Sequence, residues 1–326
     1  MSDNKPGVEE HEMTTPTPNP SPSGDSFRAP RTVTPLSVPA LNYDRLRFPL
    51  THDQLSSLVR SALEEDQAFN DVTTIATVLS SRRARASLVA RQSGCIAGVS
   101  LALEAFRLLD PKISMRVDSE DGTRIEKGDT VIYMTGHARA LLSAERTALN
   151  FMQRLSGIST LTAKYVDAVK GTRARILDTR KTTPGWRRLE KYAVRAGGGV
   201  NHRLDLARSV LIKDNHLKAV DGDVGVAVRR VRELAPPGAK IEVECDSIEQ
   251  VKAAIDAGAD EVLVDNMPVE TIREAVHLAR GKATVEASGG VTLDTVRAIA
   301  ETGVDYISVG ALTHSPPAMN LALDFD

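Results

Sequence analysis

Between Arg173 and Lys218 the chain carries twelve Lys and Arg against four acids, Asp178, Glu190, Asp205 and Asp214. The segment is +8, so a chain with a formal net charge of −2 sums to −10 elsewhere. The cations are interleaved with Gly, Thr, Asn and His, not gathered in a Lys-rich run. That pattern suits convergence on small, highly charged anions. Arg180 and Arg203 carry the planar fork that grips a carboxylate or phosphate by two bonds. His202 and His216 are candidate bases, ligands or hydrogen-bond donors. Neither stands at a metal-ligand spacing from another His or Cys, which argues against structural zinc. Gly197, Gly198 and Gly199 let the backbone approach something closely.

Other reactive side chains close short apolar runs. The runs are ARILDT (174–179), SVLIKD (209–214), KIEVEC (240–245), EVLVDN (261–266), ATVEAS (283–288) and DYISVG (305–310). Helical patterns separate the later ones, so the region from 157 to 312 reads as βα alternation with a parallel sheet. The stretches 247–260 and 292–305 match at a 45-residue offset, which covers two βα units. Gly258 and Gly303 correspond, each where a helix must stop before a strand. Six strands fall short of a complete eight-unit barrel of ~250 residues, so an incomplete, open barrel is expected. Active sites of such barrels lie at the C-terminal ends of the strands. Here those ends carry Asp178-Thr179-Arg180-Lys181, Lys213-Asp214, Glu244, Asp265-Asn266, Ser288-Gly289-Gly290 and Ser308-Val309-Gly310. Glu242 and Glu244 alternate with Ile241 and Val243, so both project to one side. A buried carboxylate needs a partner, and Lys181, Lys213 or a divalent ion is available. Glu244, nearer the strand end, reads as the site residue and Glu242 as structural. The Ser288-Gly289-Gly290 and Ser308–Gly310 loops offer bare amides suited to phosphate.

The positioning elements follow from the rest of the chain. At 326 residues, 41% hydrophobic, 26% charged and 4% aromatic, it suggests two globular domains. No apolar run approaches the ~20 residues that span a bilayer. Cys95 and Cys245 are too few for a disulfide framework and fit a reducing, cytoplasmic setting. Residues 1–40 hold eight of the sixteen prolines and ten Ser or Thr, and read as a disordered Pro/Ser/Thr-rich tail, acidic at its start and poor in Arg. Residues 41–156 read as an α+β domain. Thr51 caps a helix through Leu63, 84–99 and 113–117 are strands around a helix over Leu101–Leu109, and 120–138 is hairpin structure with turns at Gly122, Gly128 and Gly136. A long helix runs from Ala138 through Leu155. Cations converging on a barrel mouth suit small anions and argue against nucleic acid. Few aromatics leave little stacking for any planar ligand.

The motifs ERTALNFMQRLSGIST, DTRKTTPGWRRLEKYAVRAGGGVNHR, LIKDNH, IEVECDS, VLVDN, EASGG and ISVGALTHS, in order from about residue 45 to 325, resemble those of quinolinate phosphoribosyltransferases. The resemblance implies an α/β protein, with an N-terminal α+β sandwich-like domain followed by an incomplete (open) TIM-like α/β barrel, and residues 313–326 returning to the N-terminal domain. It implies transfer of phosphoribosyl from phosphoribosyl pyrophosphate to quinolinate, with decarboxylation, giving nicotinate mononucleotide for NAD synthesis, with Mg²⁺. It places Arg146, Arg180, Lys181, His202 and Arg203 around the quinolinate carboxylates, Lys213 beside them near the phosphoribosyl group, and Thr179 among the substrate-binding residues. Glu244 and Asp265 would face the ribose hydroxyls and Mg²⁺. Ser288, Gly289, Gly290, Ser308 and Gly310 would cradle the 5′-phosphate. Lys181, Lys213, Glu244 and Asp265 would form the catalytic set. A homodimer, or a multiple of dimers, would bring Arg146 into the partner's site; the residues alone make it a helix-surface Arg. Rivals are a related transferase acting on another aromatic acid, a paralogue linked to molybdate uptake, and a non-catalytic phosphate-binding barrel. The motifs RKT, NHR and KDNH favour quinolinate, and Glu244 with Asp265 favours catalysis. A Schiff-base role for Lys213 is a further alternative.

Overall fold

Thr51 opens the first helix, α1 (His52–Glu65). Its hydroxyl accepts from the Gln54 N–H at 3.3 Å, and the Gln54 side chain accepts from the Thr51 N–H at 3.1 Å. This reciprocal capping box fixes a helix whose inner face buries Val59 and Leu63. In the computed structural model, which describes Met1 and residues 46–325 apart from 208 and 237, α1 is followed by α2 (Val72–Thr77), β1 (Arg83–Ala90), β2 (Gly94–Cys95) and α3 (Val99–Leu109). Then come β3 (Ser114–Val117), β4 (Arg124–Ile125) and β5 (Thr130–His137). The expected tail, residues 1–40, lies outside the described residues apart from Met1. The strand expected over 84–99 divides into β1 and β2 at the turn after Arg91. Gly136 is no turn residue. It lies inside β5, where a Cβ would stand 2.9 Å from Asp110 Oδ2 and Ile113 Cγ1.

The helix α4 (Ala138–Ala168) runs thirteen residues past Leu155, where the sequence pattern ends it. Ser156, Gly157, Ser159, Thr160 and Thr162 are poor helix formers, but all except Thr160 are buried, so packing overrides propensity. At Gly157 a Cβ would overlap the Pro317 carbonyl oxygen. The bare backbone there lets the segment before the last strand cross the helix.

The second half begins with β6 (Arg175–Leu177), α5 (Arg187–Ala196), β7 (Val210–Ile212), α6 (Asp214–Lys218) and α7 (Val224–Leu234). Regular units follow: β8 (Ile241–Cys245), α8 (Ile248–Asp256), β9 (Glu261–Asp265), α9 (Val269–Ala279), β10 (Thr284–Ser288), α10 (Val296–Ala300), β11 (Tyr306–Ser308) and α11 (Ala311–His314). The last strand is β12 (Leu321–Phe325). The matched Gly258 and Gly303 both end their helices in the left-handed region.

Three sheets result. An antiparallel sheet has the order β12-β1-β5-β3, so the last strand of the described chain pairs with β1 in the first half. β2 and β4 form a two-stranded ribbon. The six remaining strands are parallel in the order β6-β11-β10-β9-β8-β7. β6 and β7 are its two edges, so the barrel is open between them. Val200 lies along the β6 edge: its N–H donates to Ile176 O at 2.8 Å and its carbonyl accepts from the Asp178 N–H at 3.2 Å.

Gly157→Ala is expected to destabilise the protein by about 1–3 kcal/mol through overpacking against fixed backbone, read as a lower urea midpoint with an unchanged slope. An unchanged midpoint would show that the crossing can shift.

Candidate active site at the barrel mouth

The connection from β6 to β7 carries the basic segment, and one buried ion pair fastens it. Asp178 is fully buried and Lys191, on α5, is 3% exposed. Their carboxylate and ammonium are in contact. Asp178 also accepts from Asn201 Nδ2 at 2.6 Å and from the His202 N–H at 2.9 Å, while Lys191 donates to the His202 carbonyl at 3.0 Å. Burial raises the Asp178 carboxyl and lowers the Lys191 ammonium, each opposed by the partner's charge. Asp178, expected at the mouth, is therefore a buried anchor. Lys191 is a structural partner that sequence reasoning did not single out. The glycine triplet serves packing: at Gly199 a Cβ would stand 2.7 Å from Val194 Cγ1 and 2.8 Å from Thr162 Cγ2 of α4. What the backbone approaches so closely is a helix, not a ligand.

A second anchor holds the loop after β6. Glu190 is fully buried and accepts from Arg154 at 2.7 Å, from the Thr183 N–H at 3.1 Å and from the Thr183 hydroxyl at 2.9 Å. Thr313 donates to the Lys181 carbonyl at 2.8 Å, and the Lys181 side chain crosses Gly310, where a Cβ would lie 3.1 Å from Lys181 Cδ. Lys181 and Gly310 thus meet at the mouth. Thr179 Oγ1 accepts from the Lys181 N–H at 3.0 Å and shapes the turn.

Arg180 and Arg203 stand close enough for their charges to interact. Burial, then Arg180, lowers the Arg203 guanidinium, against Glu242 and Asp205. Arg203 donates to the Ser209 carbonyl at 3.2 Å, and Arg180 Nε is buried with no hydrogen-bond partner. Two neighbouring guanidiniums and an unused buried donor are groups of the kind that suit an anion.

Carboxylates occupy the next strand ends. Glu244 of β8 accepts from Lys213 Nζ at 2.7 Å. Asp265 of β9 accepts from Asn266 Nδ2 at 2.8 Å. The second oxygen of each accepts no hydrogen bond among the described residues, leaving hard oxygen donors of the kind a magnesium ion takes. Asp265 pairs in register with Ser288, and Asn266 N–H donates to Ser288 O at 2.9 Å. Gly289 and Gly290 have φ of +88° and +60°, and a Cβ at Gly289 would overlap Asn266. His216 Nδ1 accepts the Lys213 N–H at 2.8 Å and so braces this turn.

Three predicted residues stand elsewhere. Arg146 is exposed on α4 and has no hydrogen bond or ion pair among the described residues. Ser308 is buried, with its hydroxyl directed at Glu286. His202 and Arg203 line a cavity of about 370 Å³ that also takes in Arg175, Lys240, Glu261 and Tyr306, residues at the N-terminal ends of strands. This cavity is the barrel interior, opposite the mouth. Glu242 and Glu286 close it from above, and each has one buried oxygen without a partner. The Glu286 carboxyl is pushed up to about 8 by burial and by Glu242, against His202 and Ser308. Burial lowers His202, but the Glu242 hydrogen bond and the charges of Glu286 and Glu242 raise it overall. Sequence reasoning missed Glu286 because a single acid in an apolar run gives no signal of its neighbours.

Comparison with known proteins fits this arrangement. The profile for the quinolinate phosphoribosyl transferase C-terminal domain matches residues 158–324, and that for the N-terminal domain matches 71–156. A nicotinate-nucleotide pyrophosphorylase [carboxylating] of Mycobacterium leprae is 46% identical over 280 residues, which cover 83% of this chain and 97% of that one. A probable enzyme of the same name from Bacillus subtilis is 42% identical over 275 residues, covering 84% and 94%. The solved nicotinate-nucleotide pyrophosphorylase of Francisella tularensis superposes with a TM-score of 0.80 at 38% identity, covering 86% and 98%.

Two stability effects follow. Lys191→Met leaves Asp178 buried without its counter-charge and is expected to cost about 3–5 kcal/mol, measured by denaturant unfolding; a loss below about 1 kcal/mol would deny the anchor. An acid held above its unfolded value keeps a proton that the unfolded chain has lost, so its contribution to stability falls as pH rises towards 8. Glu286→Gln should therefore raise the Tm relative to the parent more at pH 8.5 than at pH 5. Equal shifts at both values would clear this carboxyl.

Proposed function

This chain belongs to the quinolinate phosphoribosyltransferase family, and we propose that its barrel mouth joins quinolinate to phosphoribosyl pyrophosphate, releasing pyrophosphate and CO₂ and leaving nicotinate mononucleotide for NAD synthesis. The observation that carries this reading is the pair of neighbouring guanidiniums, Arg180 and Arg203, whose site has an unused buried donor. They match a ring bearing two carboxylates. Lys181 adds charge on one side, with Thr179 shaping its turn. Lys213 stands between this group and the β8–β9 carboxylates. Backbone amides at Ser288, Gly289, Gly290, Ser308 and Gly310 take the 5′-phosphate. In a homodimer, Arg146 reaches the partner's mouth, which accounts for an Arg left without a partner on α4.

The pyridine nitrogen is the nucleophile, so the protein supplies none. It attacks the anomeric carbon as pyrophosphate departs with the bonding pair, through a transition state with oxocarbenium character. Glu244 and Asp265 face the ribose hydroxyls and the cationic carbon. Catalysis is positioning plus electrostatic stabilisation of the leaving group. Glu244 and Asp265 would also hold Mg²⁺, which supplies charge to the leaving pyrophosphate. Once quaternised, the ring nitrogen stabilises the electron pair left when the adjacent carboxylate departs as CO₂, and that carbon then takes a proton. Lys213 is half-exposed and ion-paired, unlike the desolvated amine that Schiff-base chemistry needs. Two free buried cysteines suit a reducing compartment such as the cytoplasm. No helix among the described residues is long and apolar enough to cross a membrane.

Purified protein with quinolinate, phosphoribosyl pyrophosphate and Mg²⁺ should yield nicotinate mononucleotide and CO₂. Use of nicotinate instead would overturn the reading. Arg180→Ala and Arg203→Ala should each lower turnover by about 100-fold or more through lost orientation and charge; a near-normal rate in either removes that residue from the site.

A further inference from the structure

Strands β6 and β11 are parallel neighbours, and their ladder ends where the Val309 N–H donates to Leu177 O at 3.0 Å. Beyond that rung each chain enters a loop. Residues 178–186 follow β6 and carry Arg180 and Lys181; residues 309–310 follow β11 and lead into α11. The ladder does not reach these loops, and Thr313 takes its place. It lies on α11 and is fully buried. A helical Thr ordinarily satisfies its hydroxyl on a carbonyl three or four residues back in its own helix. Here that carbonyl, Gly310 O, is 3.4 Å away, whereas Lys181 O in the other loop is at 2.8 Å. The hydroxyl proton is therefore committed across the gap. The Thr313 carbonyl is also taken from outside its helix. Arg154 Nη2 donates to it at 2.5 Å and to Glu190 at 2.7 Å. Glu190 in turn accepts from the N–H and hydroxyl of Thr183, two residues after Lys181. The contacts close a ring through α4, α5, α11 and the loop after β6.

We propose that Thr313 is a positioning residue that fastens the loop of Arg180 and Lys181 to the loop of Gly310, so that each substrate organises the subsite of the other. This rests on reading Lys181 as a substrate ligand and the Ser308–Gly310 amides as the 5′-phosphate cradle. Thr313 acts through those two loops, its own hydroxyl being spent. Lys181 is where they meet. Its carbonyl is held by Thr313, and its side chain runs over Gly310, where a Cβ would lie 3.1 Å from its Cδ. A phosphate at Gly310 fixes the turn into α11 and, through the Thr313 hydroxyl, the backbone of Lys181. The acid then meets a loop already ordered and loses less freedom in binding. By linkage, the acid tightens the binding of the phosphate group by the same factor.

The test uses the full chain and two variants. Thr313→Val keeps the shape and loses the hydroxyl; Thr313→Ser keeps the hydroxyl. Thr313→Ala replaces the Val variant if that one does not fold. Quinolinate is titrated by calorimetry, alone and with saturating ribose 5-phosphate, which has the phosphate but no leaving group. In the parent and in Thr313→Ser, ribose 5-phosphate should tighten quinolinate binding by about fivefold or more, and in Thr313→Val by less than about twofold. Amide hydrogen exchange gives a readout that needs no quinolinate. Ribose 5-phosphate should slow exchange across residues 179–183 in the parent and in Thr313→Ser, and leave it unchanged in Thr313→Val. A parent without coupling, a Val variant that keeps it, or a Ser variant as poor as Val overturns the proposal. So does a parent that takes no ribose 5-phosphate, since the second loop then has no ligand. A parent that binds ribose 5-phosphate but not quinolinate defeats the functional reading instead, and the exchange measurement then judges Thr313.

Discussion

The buried pair of Asp178 and Lys191 is the constraint on which the rest of the mouth depends. Neither charge has access to water, so each requires the other and the hydrogen bonds around them. Asp178 uses its oxygens on Lys191, Asn201 and the His202 N–H; Lys191 adds the His202 carbonyl. One pair thus ties the end of β6, helix α5 and the segment before β7. That segment lies at the opening between the two edge strands. A loop of this length would otherwise sample many conformations. Pinned, it presents Arg180 and Arg203 side by side, an arrangement that repulsion alone would not keep.

The barrel has two faces with different chemistry. Its mouth sets Arg180, Lys181 and Lys213 against Glu244 and Asp265, and Arg203 extends from beside Arg180 into the interior. Its interior is also polar, with Glu242, Glu286 and His202 above Glu261, Lys240 and Arg175. Lys240 and Glu261 neutralise each other at 2.7 Å, whereas Glu242 and Glu286 share the one imidazole. Burial first, and the neighbouring Glu242 charge second, push the Glu286 carboxyl up.

Much of this was legible in the sequence, for physical reasons. The βα alternation, the 45-residue repeat and the strand-end polar residues are local patterns, and the local pattern decides them. So is the alternation that separates Glu244 at the strand end from Glu242 within. What stayed hidden depends on distant contacts. Lys191 looks like any of its basic neighbours until Asp178, thirteen residues away, is folded against it. Gly197 and Gly199 look like room for a ligand and are room for α4. The ring of His202 shares the mouth's sequence motif yet turns inward, because carboxylates from two separate strands wait there. The extent of α4 was masked by the weak helix formers from Ser156 to Thr162, which tertiary burial recruits.

That helix is the one element common to both halves. It passes unbroken from the antiparallel sheet to the barrel, and β12 returns along β1 to close the circuit. The two family segments meet at residues 156 and 158, inside this single rod. No hinge lies at the junction, and neither half can melt without exposing the α4 face that the other half packs upon. The stabilities of the two halves are therefore coupled through this helix.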